Sequence, residues 1–285
     1  MVTASPAVAA APPAGSAPPS RQLSARSQRT ARKIVLGVAG VVGFLATWQA
    51  LPALGILNPE YFPYATDTLA RIGREATDLE FWRNVGRTLT AWGIGLAVAT
   101  ALALFLGTTI GMVPLLRRGT HTTVEFLRPI PSVALIPLAI LAYGINLQAA
   151  LVIIVFASFW QVFVQVLYGV ADIDSVARDT AKSFGLSPAA RLRSLILPTA
   201  LPYLMTGLRL AAAVALILAV TAEMTIGNPG LGQKLMLSYN NGDKVGMFAI
   251  VIVTGILGLL VNIIFSLIER RALFWHQSVR GEDPS

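Results

Sequence analysis

The stretch PIPSVALIPLAILAYGINLQAALVIIVFASFWQVFVQVLYGVA, Pro129–Ala171, runs for 43 residues without one Asp, Glu, Lys or Arg. The hydrocarbon core of a bilayer takes about 20 helical residues. The run is therefore too long for one membrane span, and it carries its own punctuation at Gly144-Ile145-Asn146. It reads as two spans, 126–143 and 148–170, on either side of that break. Strands are excluded, because the apolar residues run on without two-residue alternation.

Outward from this stretch the same pattern repeats. Ile34–Pro59, Thr88–Leu116 and Val245–Ile268 carry no charge, and Ser194–Ala222 carries only Arg209. The sum is six spans, roughly 34–54, 90–112, 126–143, 148–170, 200–223 and 246–268. The expected fold is an all-α polytopic integral membrane protein. Composition agrees: the 285-residue chain is 55% hydrophobic and 13% charged, against about 25% charged in soluble domains.

A net charge of +8 and a pI near 10.3 raise the question of a nucleic-acid partner. A nucleic-acid binder clusters its cations on polar helices or loops. Here most of them punctuate charge-free runs, so no nucleic acid is expected and the charge instead reports orientation. With six spans both termini share one side. That side collects Arg21, Arg26, Arg29, Arg32, Lys33, Arg117, Arg118, Arg178, Lys182, Arg191, Arg193, Arg270, Arg271 and Arg280, and the other holds Arg71, Arg74, Arg83, Arg87, Lys234 and Lys244. The first side is expected to be cytoplasmic, in the plasma membrane of a prokaryote.

With no Cys, there is no disulfide, thiol nucleophile or thiolate metal site. The two histidines, His121 and His276, lie far apart, so no metal site is expected. No catalytic residue and no directly bound cofactor is expected either.

Residues 1–20 are Ala, Pro and Ser-rich and uncharged, a composition that cannot bury a core. The expected organisation is a disordered tail with a basic end (1–32), a transmembrane domain (33–276) and a short C-terminal tail (277–285). A basic stretch before an apolar run also fits a signal peptide. The apolar run is too long for a signal core, and a long uncharged tail precedes the basic part, so a retained span is the better reading. Between the first two spans, Leu69, Ile72, Ala76 and Leu79 recur at helical spacing and Phe81-Trp82 follows. An amphipathic helix over 67–85, lying on the outer leaflet, is expected.

The segment 171–199 is the long, patterned loop: Asp174 or Ser175 can cap a first short helix, Gly185 stops it, and Ser187 with Pro188 opens a second. Ala177, Ala181 and Phe184 fall on one face, with Val176 and Thr180 at its edge. Such a helix–Gly–helix elbow can seat as a knob in a partner's groove. The loop resembles the "EAA" loop of permease subunits of binding-protein-dependent ABC importers, which reads Glu-Ala-Ala, three residues, Gly, nine residues, Ile, one residue, Leu-Pro. Here the positions are Asp179-Thr180-Ala181, Gly185, and Leu195, Leu197 and Pro198, with the spacing intact. The resemblance spans roughly 30–276. Leu127-Arg128-Pro129-Ile130-Pro131, Pro198–Tyr203, Gly207-Leu208-Arg209, Ala222-Glu223-Met224, Gly230-Leu231-Gly232 and Glu269-Arg270-Arg271 with Trp275 are similar to the sulfonate/nitrate/taurine-type subgroup.

The resemblance implies a type I ABC importer permease. Two permease subunits, expected as a homodimer in membrane lipid, form the pore. Two cytoplasmic ATPase subunits use ATP and Mg, and the helix around Asp179–Gly185 docks on them. An external solute-binding protein delivers substrate, expected to be a small anion such as a sulfonate, taurine or nitrate; a thiamine-precursor pyrimidine or an aromatic acid is the alternative. The chain is not expected to be an enzyme. It has no Gly-x-x-x-x-Gly-Lys-Ser/Thr loop, and Gly227–Gly232 lacks the strand and the Lys-Ser/Thr such a loop needs.

Five residues are candidates for the path or a gate: Pro131, Pro137, Gln161, Arg209 and Glu223. The prolines bend the third span, and irregular backbone at membrane depth is tolerated where it is buried in protein or lines a cavity. Arg209 either serves the path, snorkels or pairs with a neighbouring helix. Glu223 lines the outer mouth or marks the end of its span. Gln161, with Trp160 and Gln165, faces substrate or a neighbour. Gly107 and Gly111 form a small-xxx-small pattern, read as packing within the chain. A stand-alone secondary transporter or channel is the competing function, but it needs an ionisable relay inside the bundle, for which only Arg209 and Glu223 are available.

Overall fold

The computed structural model of the chain describes residues 20–274. The uncharged tail to residue 19 lies outside the described residues, as do Trp275, His276, Arg280 and the segment 277–285. The described residues are helices and turns, with no strand among them. The chain divides after Pro59 into two compact units.

The first unit holds α1 (Ser20–Ala53). Its apolar part, Val35–Ala53, is long enough to cross a membrane. The basic residues 20–32, expected as the end of a disordered tail, continue this helix. Arg, Gln and Ala are good helix formers, and nothing in that stretch breaks the chain.

The second unit contains ten helices among the described residues: α2 (Ala65–Glu75), α3 (Leu79–Met112), α4 (Pro114–Leu127), α5 (Ile136–Tyr143), α6 (Leu147–Ala171), α7 (Ser175–Ser183), α8 (Pro188–Arg191), α9 (Leu197–Ile226), α10 (Leu231–Asn240) and α11 (Lys244–Ala272). α3, α6, α9 and α11 are long and apolar enough to span. α3, α6 and α11 run in one direction and α9 runs back between them, as the contacts Gly107 to Val166, Gly169 to Ala200 and Arg209 to Glu269 show. One end of the unit carries α7 and α8 (the elbow end), and the other carries α2 and α10 (the far end).

One expectation is sharpened and one is corrected. The third span, 126–143, is bent, as its prolines lead one to expect. α4 and the stretch Ser132–Tyr143 meet at 84°, with a 3-10 turn at Ser132–Leu135 before α5. Pro129 and Pro131 mark the break: each lacks a donor N–H, and the backbone leaves helical geometry at Pro131 itself, with φ −63° and ψ 115°. α5 alone is about 12 Å long, well short of a bilayer core of about 30 Å. The amphipathic helix over 67–85 is also two pieces. Asp78 accepts a hydrogen bond from the Glu80 N–H at 3.0 Å and starts α3 there. Ala76 ends α2, and its carbonyl accepts from Trp82 Nε1 at 2.8 Å. Local capping outweighs the apolar periodicity, and Phe81 turns inward while Trp82 stays exposed.

α6 is the central helix, packed between α3 and α9. Its Ile153, Ile154, Val162, Phe163 and Val170 are almost wholly buried. Gly107 and Gly111 of α3 let α6 approach: a Cβ on Gly107 would stand 2.8 Å from Val166 Cγ1, and one on Gly111 3.1 Å from Val170. The small-xxx-small pattern is thus intrachain packing. Trp92 adds a bond across the bundle, from Nε1 to the Ala212 carbonyl at 2.8 Å. At the far end an ion network ties α2 to α10 and to the start of α11. Arg71 bonds Glu75 at 3.1 Å and Asp243 at 3.0 Å, and Lys234 bonds Glu75. Asp243 also caps α11 through the Gly246 N–H.

Candidate functional site

The elbow is built from local rules. Asp174 caps α7 by accepting from the Val176 N–H at 2.9 Å. The other end closes with the Gly185 N–H on the Lys182 carbonyl and the Leu186 N–H on the Ala181 carbonyl. That pair of bonds is the Schellman arrangement, which places its terminal residue in the left-handed region. Gly185 sits there, at φ +68°, where a side chain costs about 1–2 kcal/mol. Ser187 then caps α8, accepting from the Ala190 N–H at 3.2 Å.

The face that α7 presents differs from the sequence reading. Ala177 and Ala181 are half-buried against the rest of the chain. Val176 is 69% and Phe184 80% exposed, with Thr180 exposed between them. The outward stripe is therefore 176, 180 and 184, spaced at i, i+4 and i+8 along one side of the helix. Asp179 lies beside it, exposed and paired with Lys182 at 3.1 Å.

The elbow is rooted in the bundle. α8 passes through a π-helical turn, Leu192–Ile196, straight into α9. Leu195 packs on the main core and Ile196 is buried in it, while Leu197 and Pro198 are exposed at the first turn of α9. On the incoming arm, Asp172 accepts from the Tyr203 hydroxyl at 3.0 Å. Gly169 of α6 meets Ala200 of α9, where a Cβ would stand 2.9 Å from the Ala200 Cα. Both arms are thus locked to the same pair of helices.

The candidate path residues scatter. Pro131 and Pro137 are exposed, at the starts of the 3-10 turn and of α5. Gln161 and Gln165 lie half-buried where α6 meets Gly207 of α9. Trp160 borders an apolar cavity of about 740 Å³ between α3, α4 and α6, and its buried Nε1–H has no hydrogen-bond partner among the described residues. Arg209 pairs with Glu269 of α11 at 3.0 Å, which joins α9 to α11 toward the elbow end.

Glu223 is 2% exposed. One of its oxygens, Oε2, accepts from the Thr88 hydroxyl of α3 and from the Gly232 N–H of α10, both at 2.9 Å. Thr88 in turn accepts from the Leu231 N–H at 3.0 Å. The carboxyl group therefore pins three helices together. Gly232 has to be glycine for this approach, since a Cβ there would lie 2.1 Å from the Val220 carbonyl oxygen. The sequence offered Glu223 and Gly230-Leu231-Gly232 as separate features, and Thr88 was not singled out. Beside the pin a far-end cavity of about 610 Å³ is lined by Arg83, Arg87, Thr90, Asn146 and Asn228, with Glu223 at its wall.

An elbow rooted in apolar spanning helices is the architecture of a transport permease. Residues 99–273 match the family described as binding-protein-dependent transport system inner membrane component, and the chain belongs to that family. It is the membrane-spanning permease subunit of an ABC importer, a multi-span inner membrane protein and a transport subunit. Among its relatives is the taurine transport system permease protein TauC of Escherichia coli K12, 27% identical over 88% of this chain and 93% of that protein. The bicarbonate transport system permease protein CmpB of Synechococcus elongatus is 27% identical over 83% of this chain and 88% of its own length. The nitrate import permease protein NrtB of Leptolyngbya laminosa is 27% identical over 68% and 69%. In fold the chain is similar to a chain of the MetNI methionine ABC transporter solved in inward-facing conformations, with a TM-score of 0.59, 22% identity, and coverage of 68% of this chain and 96% of that one.

Proposed function

We propose that this permease works as one of a pair, takes a small anion from an external binding protein, and is driven through α7 by a separate cytoplasmic ATPase that hydrolyses ATP. Both termini and the elbow lie on the cytoplasmic side, in keeping with the Lys and Arg bias toward that side. One observation carries the coupling role: a short helix, capped at both ends, presents Val176, Thr180 and Phe184 outward and is rooted through α8 in a span. An exposed apolar stripe on a rigid knob suits a groove on a partner. The substrate class rests on the relatives for taurine, bicarbonate and nitrate. It also rests on the far-end cavity, where Arg83 and Arg87 supply positive charge and Asn146 and Asn228 supply amides.

The test replaces Gly185 with Val and, separately, Asp179 with Lys, in cells carrying the whole transport system. Uptake of the binding protein's ligand should fall at least about tenfold, which takes only ~1.4 kcal/mol of lost docking, with membrane levels unchanged. Normal uptake by both variants at wild-type expression refutes the coupling role. Uptake that persists without any ATPase and collapses with the proton gradient would establish the stand-alone transporter instead. A thermal-shift panel of sulfonates, nitrate, bicarbonate and pyrimidines on the binding protein fixes the substrate.

A further inference from the structure

Behind the elbow lies a second concavity, of about 320 Å³, lined by Met112, Pro114, Arg178, Lys182, Arg191, Leu195 and Ile196. Its composition is unusual: three cations, no carboxylate and a wall of apolar side chains. Arg178 and Lys182 are four residues apart on α7 and share the side opposite the exposed Val176 and Thr180. Lys182 has Asp179 as a partner, out on the surface. Arg178 has no ion-pair partner among the described residues. Arg191 is half-buried, and its Nε is fully buried without a hydrogen-bond partner among the described residues. An unsatisfied buried donor on a charged group is costly and calls for an acceptor.

The place of the concavity narrows what that acceptor is. Met112 ends the span α3, Pro114 opens α4, and Leu195 and Ile196 lead into the span α9. The site thus sits where spans leave the hydrocarbon, at headgroup level, with its apolar wall toward the acyl region. Arg117, Arg118 and His121 lie just beyond, around Pro114. We infer that the pocket behind α7 holds the phosphate of an anionic phospholipid from the adjacent leaflet, gripped by Arg178 and Arg191 with Lys182 at its rim. Basic pockets at the ends of membrane helices recognise such headgroups, and guanidinium forks fit phosphate oxygens. The site is distinct from the outward stripe, so a partner on Val176 and Phe184 leaves it accessible from the membrane. The lipid acts as a wedge under α7, fixing the angle at which the elbow stands.

The test uses the full chain, purified in mild detergent with and without its ATPase. Co-purifying phosphatidylglycerol, cardiolipin and phosphatidylethanolamine are counted by native mass spectrometry, before and after excess inorganic phosphate. Wild type should retain an anionic lipid in preference to phosphatidylethanolamine, and inorganic phosphate should not displace it. With about fivefold in affinity per cation near the surface, R178Q/R191Q should bind about 30-fold more weakly and R117Q/R118Q much less so. R178K/R191K keeps the charge but loses the forks, so it should bind more weakly than wild type and more tightly than R178Q/R191Q, and show that the elbow still folds. Three results would overturn the proposal: R178Q/R191Q retaining the lipid as wild type does, inorganic phosphate emptying the site, or unchanged lipid with the ATPase lost. The second would make it a free-anion site, and the third would assign the cations to an acidic surface of the partner.

Discussion

Removing the Glu223 side chain tests the far-end pin most directly. In Glu223→Ala the Thr88 hydroxyl and the Gly232 N–H both lose their acceptor at once, because both bond the same oxygen. Thr88 is wholly buried and Gly232 is buried, so water does not replace the lost partner cheaply. An orphaned buried donor costs about 1–3 kcal/mol, so the two together cost about 2–6 kcal/mol, before the cavity left by the side chain adds its share. Glu223→Gln is the control. Its amide oxygen can stand where Oε2 stands and accept both bonds, so its cost should stay within about 1 kcal/mol. The assay is thermal unfolding of the purified permease in detergent, read alongside protease sensitivity of the loop Gly227–Gly230, which leads into α10. The Ala variant should melt well below the Gln variant and be cut faster. Equal melting of Ala, Gln and wild type would refute the pin, and Glu223 would then be a wall of the neighbouring cavity without structural weight.

Two smaller predictions concern helix contacts. Gly107→Ala puts a methyl 2.8 Å from Val166 Cγ1 and should destabilise by about 1–3 kcal/mol; Gly107→Ala with Val166→Ala should recover part of that loss in the same melting assay, and purely additive effects would disprove the contact. Arg209 and Glu269 pair at 3.0 Å with partly exposed side chains, so a double-mutant cycle with Gln at each should give a coupling of about 0.2–1 kcal/mol. The coupling should shrink in high salt, and none at low salt would mean that the pair does not form in the membrane.

The elbow was legible because its bonds are local. Asp174 to Val176, Gly185 to Lys182 and Ser187 to Ala190 each close within three residues, so residue type and spacing contain them. Thr88 and Glu223 are 135 positions apart, Arg71 and Asp243 172, and Arg209 and Glu269 60. No local pattern encodes such pairs, and they emerge only when α3, α9, α10 and α11 pack. The third span fell between these cases. Its prolines announced a break, but no local pattern gives the 84° angle between its two pieces. The inward turn of Ala177 and Ala181 was missed for the same reason: helical spacing says which residues share a face, and only packing says which face looks out.

These pieces share one helix. The stretch Ala189–Ile226 is 38 residues of continuous helix, about 57 Å at 1.5 Å per residue. The hydrocarbon core of a bilayer is about 30 Å thick, so this rod is longer than the core, and the elbow stands on the end that leaves it at headgroup level. Glu223 fixes its other end to α3 and α10, and Arg209 fixes its lower middle to α11. Between elbow and pins lies an irregular stretch, the π-turn Leu192–Ile196, a feature that often marks a functional site within a helix. A load applied to α7 therefore meets a stiff rod that is held at its far end, with its irregular turn beside the basic pocket. Movement at the elbow must turn the helices pinned to that rod or bend it at Leu192–Ile196, and α6, locked to it at Gly169 and Gly207, must follow.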